Sequence, residues 1–238
     1  MRGPYGFEQG DSCPSCKMRS DGFFCQVSPA AMADFNTMKS SATYPAGAML
    51  FLENQDPRGV FVVCGGQVKL SISSSGGKTL ILRIAKPGEI LGLMATLSGA
   101  SYEVTAETLH PCQVAFLRRV DFLGFIKKHP EAYQGVVKQF SSLYSGACEQ
   151  LRMVGLSASA PEKLARLLLE WSTESKGEKP VTQIKMPLTH EEIAEFIGTT
   201  RETVTRTLSD FKTRHLVALQ GSTLSISNRP ALAVIGGA

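Results

Sequence analysis

No stretch of this 238-residue sequence approaches the ~18 consecutive apolar residues that suggest a membrane span. The first residues, MRGPYGFEQGDSC, lack an apolar run of signal-peptide length. The chain is therefore expected in the cytoplasm, with no membrane among its partners. Only four histidines are present, scattered without ligand spacing, so they mark no histidine-built metal centre. Also absent are a phosphate loop of the GxxxxGK kind, a nucleophile–base pair and paired carboxylates in a recognisable setting. An enzyme is not expected. No internal repeat or long low-complexity tract interrupts the chain. Charge of one sign is scarce too: 25 Lys and Arg stand against 21 Asp and Glu, a formal +4. That balance permits nucleic-acid binding without demanding it.

What is present is an ordinary globular composition, 43% hydrophobic and 19% charged, in a chain long enough for one large domain or two of average size. Such a chain needs no disulfide staples. Yet Cys13, Cys16 and Cys25 crowd into CPSCKMRSDGFFC. In a reducing compartment a cysteine cluster points to metal or redox chemistry rather than to a structural disulfide.

Four regions separate by pattern. Residues 1–33 form an irregular, cysteine-rich N-terminal arm. Residues 34–119 alternate glycine-marked turns with short apolar runs, among them AMLFLE, GVFVVC, QVKLSIS and KTLILRI. In QVKLSIS, Val68, Leu70 and Ile72 fall on one face, and SSSGGK after it is a hairpin signal. Many short strands at this spacing predict an antiparallel sandwich, jelly roll or barrel. In residues 120–156 the period becomes helical. Tyr133, Val137, Phe140, Tyr144, Ala147, Leu151 and Val154 follow at steps of four and three, an a/d seam of three heptads. Pro130 suits the helix start. The seam spans roughly 32 Å and predicts a two-stranded coiled coil that joins two copies into a homodimer. Residues 157–238 begin with a short break, SASAP, and an amphipathic helix carrying Leu164, Leu167, Leu168 and Trp171 inward.

The strongest motif is LTHEEIAEFIGTTRETVTRTLSDFKTR, residues 188–214. Thr189 with Glu192 reads as a capping box. Ile193, Phe196 and Ile197 give the buried face of a first helix, and Gly198 supplies the positive φ of a tight turn. Thr199 or Thr200 caps a second helix, buried through Val204, Leu208 and Phe211. Ala194 is small where the helices cross. This is a helix-turn-helix layout, in which the start of the second helix enters the DNA major groove. Arg201, Glu202, Thr205 and Arg206 face outward there. Arginine offers paired donors to guanine, and glutamate accepts from the cytosine amino group. Thr189, Thr199 and Thr203 are candidate phosphate contacts, which position without specifying. LVALQGSTLSISN reads as a β-hairpin wing.

A roll of strands, a long dimer-type helix and a winged helix-turn-helix, in that order over nearly the whole chain, resemble the CRP/FNR superfamily of bacterial transcription regulators. GTTRETVTRTL resembles its recognition helix. The resemblance implies an α+β fold: an N-terminal cyclic-nucleotide-binding-like β-roll, a dimerisation helix and a C-terminal winged helix-turn-helix. Arg201, Glu202 and Arg206 match the base-reading set of the cyclic AMP receptor branch. They imply double-stranded DNA with palindromic TGTGA-like half-sites, and the family implies RNA polymerase as a further partner. PGEILGLMATLSGASYEVTAETL resembles the nucleotide-holding segment. The places of its ribose-binding glutamate and phosphate-binding arginine fall on Leu93 and Ala100, neither of which can do that work.

The FNR branch implies a use for the cysteines. It holds a 4Fe–4S cluster with three N-terminal cysteines and a distant one, and HPCQVAF puts Cys112 at the matching place. The implied ligands are Cys13, Cys16, Cys25 and Cys112, one thiolate per iron, in a sensor of oxygen, redox state or nitric oxide. The eight residues between Cys16 and Cys25 make that loop longer than in the family pattern. Three other readings of the cysteines stay open: a structural zinc site, a reversible disulfide and unligated thiols. So does an effector bound in the β-roll. Cys64 and Cys148 read as packing residues.

Overall fold

A computed structural model describes residues 5, 7, 13, 16, 22–156, 159–173, 183–221 and 223–237. Two compact units emerge, one of residues 1–78 with 82–146, the other of 79–81 with 147–238. The division falls inside the long helix.

The first unit opens with a short 3-10 turn, Phe23–Cys25, and a helix that the sequence pattern does not announce, α1 (Pro29–Met38). Ser28 caps α1 by accepting from the Ala31 N–H, and Pro29 sits in the first turn, where no donor is lost. Eight strands follow: β1 (Ser40–Tyr44), β2 (Met49–Phe51), β3 (Gly59–Gly65), β4 (Val68–Ser73), β5 (Thr79–Ala85), β6 (Ile90–Leu91), β7 (Thr105–Thr108) and β8 (Cys112–Arg118). A short helix, α2 (Leu93–Ser98), lies between β6 and β7. The strands form two four-stranded sheets, ordered β1-β8-β3-β6 and β2-β7-β4-β5. The expected strands lie where the apolar runs put them, and the SSSGGK turn is closed by bonds between Ser74 and Lys78.

Strand alternation sorts the side chains of the first sheet into two cores. Phe61 and Val63 of β3, with Cys112 and Val114 of β8, face the other sheet and meet Phe51, Leu70 and Tyr102. Val60 and Val62, with Ala115 and Leu117, face the helices. There they meet Phe35 of α1 and Phe122, Phe125 and Ile126 of α3 (Arg119–Lys128). Val136 of α4 (Ala132–Gly155) joins the same core.

The second unit holds the end of α4, then α5 (Ala160–Thr173), β9 (Gln183–Lys185), α6 (His190–Ile197), α7 (Arg201–Thr213), β10 (Val217–Gln220), β11 (Thr223–Ile226) and α8 (Arg229–Ile235). Leu164, Leu167 and Leu168 are fully buried, while Trp171 is half-buried. β10 and β11 form the expected hairpin, and β9 adds a third antiparallel strand beyond β11. The α+β architecture expected from the sequence, a β-roll followed by a long helix and a winged helix-turn-helix, is present.

Candidate functional site

The recognition end is built by local rules. The Thr189 side chain accepts from the Glu192 N–H, and the Glu192 carboxylate reaches back to the Thr189 N–H at 2.9 Å, completing the capping box. Gly198 ends α6 at φ 65°, in the left-handed region that glycine enters without strain. Thr200, rather than Thr199, caps α7 by accepting from the Thr203 N–H. Ile193, Ala194, Phe196 and Ile197 of α6 and Val204, Leu208 and Phe211 of α7 are buried. That burial fixes which face of α7 is left outside. Arg201, Glu202, Thr205 and Arg206 are all exposed on it. The Glu202 carboxyl is held below the usual range by its own backbone N–H, the Thr200 hydroxyl and the Arg201 charge. It therefore stays an anionic acceptor. The threonines are partly committed: Thr189 to Glu192, Thr203 to Thr200 at 3.1 Å, and Thr205 to His190 at 3.0 Å.

The seam of α4 is left uncovered. Tyr133, Val137, Tyr144 and Leu151 are 47%, 65%, 75% and 72% exposed. Ala147 is exposed as well, whereas Phe140 and Val154 are half-buried. Val136, Gln150 and Met153 of the same helix are buried, Val136 standing one turn from the seam residues Tyr133 and Phe140. Gln150 donates to the carbonyl of Phe196 at 2.7 Å, which ties the end of α4 to α6.

The cysteines divide. Phe24, 2% exposed, drives the arm into the helix-side core. It stacks on Phe35 at 4.1 Å and meets Phe122 and Phe125 edge-on or tilted. Burial of such a side chain is worth about 1.5–3 kcal/mol, with a further ~0.5–1.5 kcal/mol for each good aromatic pair. Cys25, the next residue, is thereby held beside the roll. Cys13 packs against the same core. Its N–H donates to Asn36 Oδ1 at 3.1 Å, and Lys39 Nζ donates to its Sγ at 2.9 Å. The Cys16 N–H donates to the Cys13 carbonyl, so these two thiols share one turn.

The roll thiol on this side is Cys64, which packs against the helix-side core. Burial pushes it up to about 12, Lys39 pulls the other way, and Cys13, Cys25 and Cys16 add to the rise. Cys64 is thus within electrostatic reach of all three arm cysteines. Cys112 is not brought to them. It is fully buried between the two sheets, and its thiol donates to the carbonyls of Gln67 at 3.2 Å and His110 at 3.1 Å. Burial pushes this thiol up too. The alternation along β3 and β8 explains the difference, because Cys112 and Cys64 stand on opposite faces of one sheet. Among the described residues no three Cys, His, Asp or Glu side chains stand at metal-ligand distance. The donor chemistry suits a soft metal or an iron–sulfur cluster: the thiols of Cys13, Cys16, Cys25 and Cys64 lie on one side of the roll.

Residues 42–129 match the model of the cyclic nucleotide-binding domain, and residues 162–235 that of the Crp-like helix-turn-helix domain. The chain belongs to the CRP/FNR family of transcription regulators. As a CRP/FNR regulator it is a DNA-binding protein, and its family is not one of enzymes. It is 25% identical over 216 residues to the CRP-like cAMP-activated global transcriptional regulator of Mycobacterium tuberculosis, covering 89% of this chain and 95% of that one. It is 27% identical over 217 residues to the transcriptional activator protein FnrL of Cereibacter sphaeroides, covering 88% and 85%. The structure of FixK2 from Bradyrhizobium japonicum superposes with a TM-score of 0.73 over 84% of this chain and 98% of that one, at 22% identity, and attests the shared fold.

Within this CRP/FNR roll, Leu93 opens α2 with its side chain 2% exposed in the helix-side core, and Ala100 is exposed. Arg83 is engaged by Glu89 in an ion pair. Cys64, expected from the sequence to pack, lies against the helix-side core, where Val60, Val62 and Cys64 share a strand face at period two.

Proposed function

We propose that this CRP/FNR regulator works as a homodimer that senses oxygen, redox state or nitric oxide through a 4Fe–4S cluster on its N-terminal arm. It reads palindromic DNA with TGTGA-like half-sites and acts on RNA polymerase in the cytoplasm. The gathering of arm thiols against the β-roll carries this reading. Cys13, Cys16 and Cys25 stand on one side, held by Phe24, Asn36 and Lys39. The resemblance of the cysteine pattern to the FNR branch supports a redox signal. Similarity to a cAMP-activated regulator would support a nucleotide, but a buried leucine at 93 and an alanine at 100 leave neither a ribose acceptor nor a phosphate cation.

The exposed face of α7 supports base readout by Arg201, Glu202 and Arg206. Thr189, Thr199 and Thr203 are the proposed phosphate contacts. The uncovered apolar seam of α4 supports dimerisation, since an exposed apolar stripe of this length calls for a partner. When bound, the cluster supplies a redox-labile crosslink between arm and roll. The residues of the chain do the rest. Ser28 at the end of the arm donates to Glu131, the residue before α4, at 2.9 Å, and Asp34 of α1 pairs with Lys128 at the end of α3 and with His129 after it. Phe140 of the seam packs against the core that holds Phe24. Release of the arm would therefore alter the packing beneath the dimer seam.

The test is purification without air, followed by an absorbance spectrum and iron, sulfide and zinc analysis. Equal iron and sulfide with a broad visible band, bleached by air together with a change in DNA affinity, is the expected result. A colourless protein with zinc would make the arm a structural clip, and a protein free of metal would leave thiol oxidation as the signal.

A further inference from the structure

We propose that Cys64, and not Cys112, supplies the fourth thiolate of the site formed by Cys13, Cys16 and Cys25. The inference rests on the reading of the three arm cysteines as metal or cluster ligands.

Strand geometry selects between the two roll cysteines. In β3 the side chains of Val60 and Val62 point to the core that receives Phe24, and Cys64 continues their row. In β8 Cys112 and Val114 point into the space between the sheets. The two strands pair Val63 with Val114, then Gly65 with Gln113, with an irregularity between. Cys64 is the extra residue at that bulge, a feature that re-aims a side chain and breaks the ladder locally. For Cys112 to reach the arm, β8 would have to slip by one residue. That slip would turn Val114 and its neighbours out of the inter-sheet core. It would also break both hydrogen bonds of the Cys112 thiol. The room around Cys112 is already closed: a Cβ placed on Gly66 would stand 2.5 Å from its sulfur.

The arm is delivered to Cys64 by backbone contact. A Cβ on Gly22 would lie 2.2 Å from the Cα and the carbonyl oxygen of Gly88, so the two glycine backbones touch. Gly88 in turn donates to the carbonyl of Val63 at 2.7 Å, one residue from Cys64. Cys25 donates to the carbonyl of Gly22 at 3.0 Å. Cys25, Gly22, Gly88 and Val63 thus form a continuous path that ends beside Cys64. On the other flank Lys39 brings a positive charge to Cys13, which offsets the charge that several thiolates accumulate. Cys64 is fixed by its strand.

The experiment compares wild type, Cys25→Ser, Cys64→Ser, Cys112→Ala and Cys112→Ser after anaerobic reconstitution. Bound iron, sulfide and the visible band are read, with circular dichroism as the check of folding. Cobalt(II) titration of the reduced, metal-free proteins gives a second readout, the absorption of a tetrathiolate site. Cys25→Ser and Cys64→Ser should lose the band and the tetrathiolate spectrum, whereas the Cys112 variants keep both. A folded Cys64→Ser protein with full iron and an unchanged cobalt spectrum overturns the inference, as does a folded Cys112 variant that loses both. Pulsed alkylation of wild type stands in for any variant that does not fold. Cys64 should resist the reagent when loaded and become labelled after chelation, and equal labelling in both states overturns the inference. A wild type that takes up neither iron and sulfide nor cobalt defeats the ligand reading of the arm itself.

Discussion

Leu151→Ala isolates what the α4 seam contributes to assembly. Leu151 is 72% exposed in one chain, so the substitution removes little from the folded monomer. Full burial of a leucine side chain is worth about 2 kcal/mol, and the share still in water here amounts to ~1.5 kcal/mol. A two-fold interface contains each residue twice, so the dimer should lose ~3 kcal/mol, about two powers of ten in its dissociation constant. Sedimentation velocity over a concentration series measures that constant. Thermal unfolding at a concentration where both proteins are monomeric should show equal midpoints. A dimer constant that moves by less than about threefold, or ~0.6 kcal/mol, would refute the assignment of this seam to the interface. A fall in the monomer's own stability would show that Leu151 packs within the chain instead.

Arg206→Ala should weaken binding to a matched site by ~1–3 kcal/mol and level the preference over a mismatched half-site, read by fluorescence anisotropy on both. A uniform loss on every sequence would make Arg206 a phosphate contact. Gly22→Ala forces a Cβ into the Gly88 backbone; the arm should become open to limited proteolysis while urea unfolding of the roll is unchanged. An arm equally protected in both proteins would contradict the contact. The Asp34 carboxyl is held below its ordinary value of 3.8, first by the Lys128 hydrogen bond and then by His129. Its contribution is present above that value and is lost as pH falls through the lower folded one, with Glu131 titrating nearby in the same direction. Urea midpoints of wild type and Asp34→Asn should differ at neutral pH and converge in strong acid; parallel curves would remove Asp34 from the linkage.

The recognition end was legible because each of its signals is local. Capping box, glycine turn and helix period lie within 27 residues, and each specifies a backbone conformation without help from elsewhere. The seam was legible for the same reason: seven residues at alternating steps of four and three define one stripe. Of the proposed thiol site, only the arm half can be read from the sequence. Which roll cysteine faces the arm depends on the face of the sheet that the helices cover, and on an irregularity between Val63 and Gly65. Both are facts of pairing between segments about fifty residues apart. α1 escaped for another reason. Its buried residues, Ala31, Met32 and Phe35, are few, and the helix becomes visible only once Phe24 and the α3 aromatics give Phe35 something to bury against.

That same aromatic core gives the arm its influence. Phe24 enters it from the arm, Phe35 from α1, Phe122 and Phe125 from α3, and Val136 from α4. Val137, the next residue along α4, is 65% exposed and belongs to the seam. One turn of helix therefore carries the core contact of Val136 beside the proposed dimer contact of Val137. Close-packed interiors respond to the loss of one side chain by discrete repacking rather than by smooth deformation. Withdrawal of Phe24 would leave Phe35 without its stacking partner and Phe125 without its tilted one, and change the support under Val136. Whatever signal the arm thiols receive can thus reach the seam within the first unit. Phe24→Ala should accordingly shift the dimer constant without touching any seam residue, and an unchanged constant in a folded protein would break this link.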